Sequence, residues 1–253
     1  AGGSRRAPRS ALGGRLFGRV KDELAEKPPS PETTAETPIR PATPYPKVEV
    51  YSLGKLEVLV DGRKVSDAEW QSQKSKELFL YLLCHRSGKR REELLEVLWP
   101  DLSAGLSRNA LYNNVHRTRK AVFHDCIVLE DGQYKLNPRV EGWFDLEEFQ
   151  RLAREADEQP GGSEKRASLL GQAIKLYRGS FLPEFYAEWA NAIRLEAEPQ
   201  YLRSLARLAG FHAAKGNYQE STRLLQDLLN VDNMDEAAQE EMVKLLIRSD
   251  NLS

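Results

Sequence analysis

Apolar and polar residues alternate along Val48-Glu-Val-Tyr-Ser-Leu and run β-branched through Leu56-Glu-Val-Leu-Val, the marks of two short strands. Asp61-Gly62 follows, a pair suited to a two-residue hairpin turn, and Arg63-Lys-Val returns from it. The period then changes. Leu78, Phe79, Leu82 and Leu83 recur at helical spacing until Ser87-Gly88 stops them, and Leu94, Leu95 and Leu98 give a second helix that Trp99-Pro100 ends. A third helix is expected over about Ser103 to Phe123. Ile127-Val-Leu and Tyr134-Lys-Leu then flank Glu130-Asp-Gly-Gln, which predicts a second hairpin with Gly132 taking a positive φ. From Leu146 onward helical spacing continues, with breaks at Pro160-Gly-Gly-Ser, Gly179-Ser, Pro183 and Gly216-Asn217.

The expected order over residues 48–143 is a small sheet, three helices and a β-hairpin. That is a winged helix-turn-helix with an extra amino-terminal sheet, its third helix the reader and its last hairpin the wing. Residues 144–253 are expected to be all helical. Lys215-Gly-Asn-Tyr and Ser249-Asp-Asn-Leu fall 34 residues apart, Asn217 to Asn251, which is the tetratricopeptide period. On that period the chain stops inside a repeat, so a carboxy-terminal truncation is expected. Residues 1–47 hold eight of the 13 prolines, seven of them between Pro28 and Pro46, and read as a disordered, semi-extended linker. Arg15 to Leu24 reads either as part of that disorder or as a short amphipathic helix ending a missing upstream domain.

Net charge alone, −1 over 253 residues, points to no nucleic acid. Its distribution does. Residues 71–123 carry +5 and residues 144–253 carry −6, an asymmetry that suggests two domains with different partners. No apolar run approaches a membrane span, and two cysteines, Cys84 and Cys126, are too few for a disulfide scaffold or a Cys-rich zinc module. The common hydrolase, zinc-protease and nucleotide-binding strings are missing, and no histidine stands at metal spacing. No catalytic residue, metal or cofactor is therefore expected.

On the third helix, Leu111, Val115, Thr118 and Val122 form the stripe that should be buried. The other face shows Asn109, Tyr112, Asn113, His116, Arg117 and Lys120, flanked by Arg108 and Arg119, with no carboxylate among them. A solvated helix normally mixes signs, whereas Arg, Lys and Asn are the residues that read guanine and adenine edges or hold phosphates. Lys89, Arg90 and Arg91 at the second helix, and Lys74 and Lys76 at the first, are further candidates for the phosphate rails. An ordinary exposed basic face remains the plain alternative.

Tyr51-Ser-Leu-Gly, Val60-Asp-Gly-Arg, Leu95-Glu-Val-Leu-Trp-Pro-Asp, Arg108-Asn-Ala-Leu, Val115-His-Arg-Thr-Arg-Lys and Tyr134-Lys-Leu resemble the DNA-binding half of SARP-type bacterial transcriptional activators, whose winged helix is OmpR-like. Phe144-Asp-Leu-Glu-Glu-Phe, Leu176-Tyr-Arg-Gly-Ser-Phe-Leu-Pro, Glu188-Trp189, Arg194 and Gly216-Asn-Tyr resemble the bacterial transcriptional activation domain that follows it. The resemblance implies that Arg108 clamps a phosphate at the start of the reading helix and that Asn113, His116, Arg117 and Lys120 face the groove. It places Arg119 at the second Arg of a usual Leu-Arg pair, with Thr118 where the family has Leu. Its usual Gly-Gly-Tyr wing is here Gly132-Gln133-Tyr134, and Lys135 is the wing's only cation.

The expectation is a cytoplasmic, nucleoid-associated regulator that binds promoter direct repeats in duplex DNA, as a homodimer, and the resemblance implies contact with RNA polymerase and its sigma factor. The alternative is a protein-interaction adaptor whose winged helix binds protein. A further alternative has a receiver or another sensor domain upstream gating this output. Trp143, Phe185, Tyr186 and Trp189 are read mainly as core or interdomain packing, with a hot-spot surface as the second reading.

Overall fold

The computed structural model describes residues 45–250. Most of the expected linker, the upstream helix and the Asn251 that closes the second repeat lie outside the described residues. Two antiparallel strands open the fold, β1 (Val48–Tyr51) and β2 (Glu57–Val60), with Val48 opposite Val60. Val48 and Val50 are buried while Glu49 and Tyr51 are half-exposed, as the alternation requires. Asp61 and Gly62 have φ of 50° and 77°, the two positive angles of a type I′ turn, and β3 (Arg63–Lys64) returns from it.

A one-turn helix, α1 (Asp67–Trp70), follows where hydrophobic periodicity predicts nothing. Four residues cannot display a period, but Ser66-Asp-Ala-Glu69 spells a capping box. The Glu69 carboxylate accepts from the Ser66 N–H at 2.8 Å, and the Ser66 hydroxyl accepts from the Glu69 N–H at 3.4 Å. The turn places Trp70 in the core against Phe79.

The three expected helices are α2 (Gln73–Cys84), α3 (Arg91–Leu98) and α4 (Ala104–Ala121). The wing is β5 (Ile127–Glu130) and β6 (Gln133–Leu136). A two-residue strand between α2 and α3, β4 (Lys89–Arg90), joins them in a sheet of order β4-β6-β5. Gly88, at φ 88°, lets this strand approach closely, since a Cβ there would lie 3.2 Å from both Tyr134 O and Lys135 Cβ. This is the expected winged helix-turn-helix.

Another short strand, β7 (Gly142–Phe144), adds to β1 in parallel and completes a four-stranded sheet of order β3-β2-β1-β7. It leads directly into five helices: α5 (Asp145–Asp157), α6 (Glu164–Leu176), α7 (Glu188–Ala214), α8 (Tyr218–Val231) and α9 (Glu236–Asp250). Each packs on the next, the stacking of tetratricopeptide-like repeats. Among the described residues no helix is long and apolar enough to cross a membrane.

The two halves share one hydrophobic cluster and one compact unit. At their junction the buried Asp145 carboxylate accepts from Ser52 N–H at 2.8 and 2.9 Å, from the Ser52 hydroxyl at 2.8 Å and from Leu53 N–H at 2.9 Å. Burial pushes this carboxyl above the usual aspartate range, and the bonds from Leu53 and Ser52 pull it partly back. Nearby, Gly54 N–H donates to Ser180 O at 3.1 Å and Leu182 N–H to Ser52 O at 2.9 Å. The loop that makes these contacts holds Leu182 at φ 43°, an unfavourable angle for leucine. The Arg194 guanidinium fixes it by donating to the carbonyls of Phe181, Leu182 and Phe185.

The expected aromatic packing holds for three of four residues. Phe185 is buried, Trp143 lies against Tyr51, and Trp189 meets Tyr81 edge-on across the junction while its indole N–H donates to Glu77 at 3.2 Å. Tyr186 is the exception, 96% exposed at the tip of its loop.

Candidate nucleic-acid interface

The orientation of α4 about its own axis decides what it can present, and two sets of contacts fix it. Leu111, Val115, Thr118 and Val122 are all buried, as the period predicts, and Ala121 joins them. A polar set lies beside them. Ser72 Oγ caps α2 by accepting from Ser75 N–H at 3.0 Å and donates to Asn114 Oδ1 at 2.7 Å, while Asn114 Nδ2 donates to Ala110 O at 2.7 Å. Thr118 Oγ1 reaches Ser75 O at 2.9 Å and Asn114 O at 2.8 Å. The Thr118 hydroxyl thus ties α4 to α2, a directional contact where a leucine would supply only packing.

With that stripe inward, helical geometry turns Asn109, Asn113, His116 and Lys120 directly outward at i, i+4, i+7 and i+11, and all four are exposed. Tyr112, 73% exposed, and the half-exposed Arg117 lie on opposite flanks of that row. Arg108 is exposed on the Tyr112 side. No Asp or Glu occurs anywhere on α4. Leu106, 61% exposed, belongs to the same outward surface, one turn before Asn109 and two before Asn113. Polar patterning passes over it because an apolar residue on a helix reads first as core; its offset from the buried stripe is the available signal.

Arg119 is placed differently. Its Nε and Nη2 both donate to Ile127 O, at 3.1 and 2.8 Å, so its guanidinium braces the wing against α4. Removing it leaves a buried strand's carbonyl without these donors. Arg119→Ala is expected to lower stability by about 1 to 3 kcal/mol and to speed amide exchange in β5 and β6. Unchanged stability and exchange would show that this brace carries no weight.

The other basic candidates are largely paired. Lys89 lies 3.3 Å from Glu93, Lys135 lies 2.6 Å from Glu130, Lys74 lies 2.8 Å from Glu77, and Lys76 lies 2.5 Å from Asp67. Arg90 is exposed and sits opposite Gln133 in the β4–β6 register, with Lys89 opposite Tyr134. The wing turn has Asp131 at φ 52° and Gly132 at 75°, so its two positive angles are met without a second glycine, and Gln133 begins the returning strand. With Glu130 and Asp131 beside Lys135, the hairpin carries a net negative charge. Positive charge is therefore concentrated on α4 and at the β4–α3 junction. Burial raises the thiols of Cys84 and Cys126 to about 12, so neither is a thiolate nucleophile or a ready metal ligand. No group of metal-binding side chains occurs among the described residues.

Residues 144–253 match the family described as bacterial transcriptional activator domain. No curated protein matches the chain. Among solved structures, Mycobacterium tuberculosis EmbR in complex with low affinity phosphopeptide is similar in fold, with a TM-score of 0.65 at 15% sequence identity. The match covers 81% of this chain and 56% of that one, so the chain spans little more than half the length of that neighbour. The carboxy-terminal helical half, residues 144–253, thus matches the bacterial transcriptional activator domain family, and a winged helix-turn-helix stands in front of it.

Proposed function

We propose that the chain binds duplex DNA in a sequence-specific way through α4 and activates transcription by recruiting RNA polymerase. The observation that carries this reading is the carboxylate-free outward face of α4, with two asparagines, a histidine and a lysine in one row opposite the buried stripe. In a major groove Asn109 and Asn113 are suited to adenine edges, Arg117 and Lys120 to guanine or phosphate, and Leu106 to a thymine methyl. Arg108 and Arg90 would hold phosphates on either side. The wing enters the adjacent minor groove through Gln133 and Tyr134, with little help from charge because Glu130 neutralises Lys135. Two protomers on direct repeats about one helical turn apart would present two such helices to one face of the duplex. The acidic helical half, at −6, suits a basic surface on polymerase or its sigma factor better than it suits DNA. Its place of action would be the cytoplasm, at the nucleoid, with no chemistry of its own.

Salt tests the reading. Each neutralised phosphate should steepen the fall of log affinity with log salt by roughly 0.9. The pairs on Lys89 and Lys135 predict that Lys120→Ala flattens this slope while Lys135→Ala leaves it nearly unchanged. Binding that barely responds to salt would favour an adaptor role for the winged helix.

A further inference from the structure

We propose that the helical half holds a binding site for a small organic phosphate, a phosphomonoester with a planar body, in the cleft between α6 and the end of α7. The cleft encloses about 340 Å³, within the range of small-molecule sites. Arg166 and Leu170 of α6 face Arg207, Gly210 and Phe211 of α7 and Lys215 just past its end, each set at spacings that fall on one helix face.

Three cations meet here in a half of the chain that carries −6. Arg166 and Arg207 share a single carboxylate, that of Asp157, with Arg166 Nη2 at 3.7 Å. Lys215 pairs with Glu164 at 3.0 Å, a contact whose carboxylate is 75% exposed and therefore screened and easily exchanged. Two carboxylates against three cations leave one positive charge in excess, and the amino-terminal end of α6 adds its partial positive charge at the same mouth. Two guanidinium groups and an ammonium offer more donors than a carboxylate ligand can use, and the planar fork of arginine matches phosphate oxygens in pairs.

Apolar surface lies behind this mouth. Leu170 is buried, and the half-buried Phe211 ring carries Lys215 Nζ 5.6 Å from its centre, giving a flat wall beneath the cations. Gly210 is the second, independent observation. A glycine inside a helix costs about 1 kcal/mol relative to alanine, and here no steric need offsets it, since a Cβ at this position would meet nothing within 4 Å. Its missing side chain keeps the cleft open.

Calorimetric titration of the full chain with phenyl phosphate, alongside phenol and inorganic phosphate, tests the site. Saturable binding of phenyl phosphate is expected, at least tenfold tighter than either fragment. Arg166→Ala with Arg207→Ala should weaken it at least tenfold, and Asp157→Asn, which releases both guanidinium groups, should strengthen it. Gly210→Leu should fill the cleft and abolish binding while the melting temperature holds or rises. Absence of saturable binding to the unaltered chain would overturn the proposal. So would undiminished binding by a cooperatively folded Gly210→Leu protein, or inorganic phosphate bound as tightly as phenyl phosphate.

Discussion

Asp145→Ala is expected to cost about 3 kcal/mol of stability. The substitution leaves Ser52 N–H, Leu53 N–H and the Ser52 hydroxyl without their acceptor, at two residues with no exposed surface. Each orphaned buried donor costs about 1 to 3 kcal/mol. Relief from keeping a carboxylate out of water offsets part of that sum, which sets the net figure below the total. Asp145→Asn should be nearly as harmful, because its amide would point donors at donors. The loss falls on the joint between the halves, where β7 pairs with β1 and Trp189 meets Tyr81. Chemical denaturation followed separately through winged-helix and helical-half probes should therefore show transitions that separate in the variant and coincide in the parent. A loss under about 1 kcal/mol with coincident transitions would mean that the carboxylate is not the joint's main tie.

Arg117→Ala should weaken binding to the preferred DNA site by about 1 to 3 kcal/mol and relax the preference at one base position, the signature of a lost bidentate contact. Lys120→Ala should instead weaken all sequences alike and flatten the salt slope. Arg119 is the internal control: the same charge on the same helix, two residues on, but held on Ile127 O. Its removal should act through stability and leave sequence preference unaltered. Competition binding against a set of single-base variants separates the three. An Arg117→Ala protein with unaltered affinity and preference would remove that residue from the reading face.

Much of this arrangement is legible in the sequence because it is periodic or turn-specified. Val48 and Val50 alternate, Leu111 to Val122 keep helical spacing, and Asp61-Gly62 and Asp131-Gly132 declare their turns. The outward row of α4 follows once its buried stripe is known. What stays hidden is short or non-local. The strands β4 and β7 have two and three residues, too few for any period, and exist because a distant strand offers its edge. Asp145 looks like an ordinary first-turn helix acid, and its bonds to Ser52 and Leu53 span 93 and 92 residues. Arg119 reads as one more cation on a basic helix, because nothing local reveals the carbonyl it meets. Leu106 and Tyr186 are hydrophobic letters on the surface, and composition assigns such letters to cores. The cleft at Gly210 likewise depends on two helices whose facing sides only the tertiary packing brings together.

The central claim, that α4 reads DNA, is tested most directly by selection. The chain is mixed with sheared genomic DNA at near-physiological salt, the retained fragments are sequenced, and an Asn113→Ala, Arg117→Ala double variant is carried alongside. Enrichment of a repeated motif with half-sites about one helical turn apart, lost in the double variant, is the predicted result. Retention without a motif, or equal enrichment by the double variant, would contradict it.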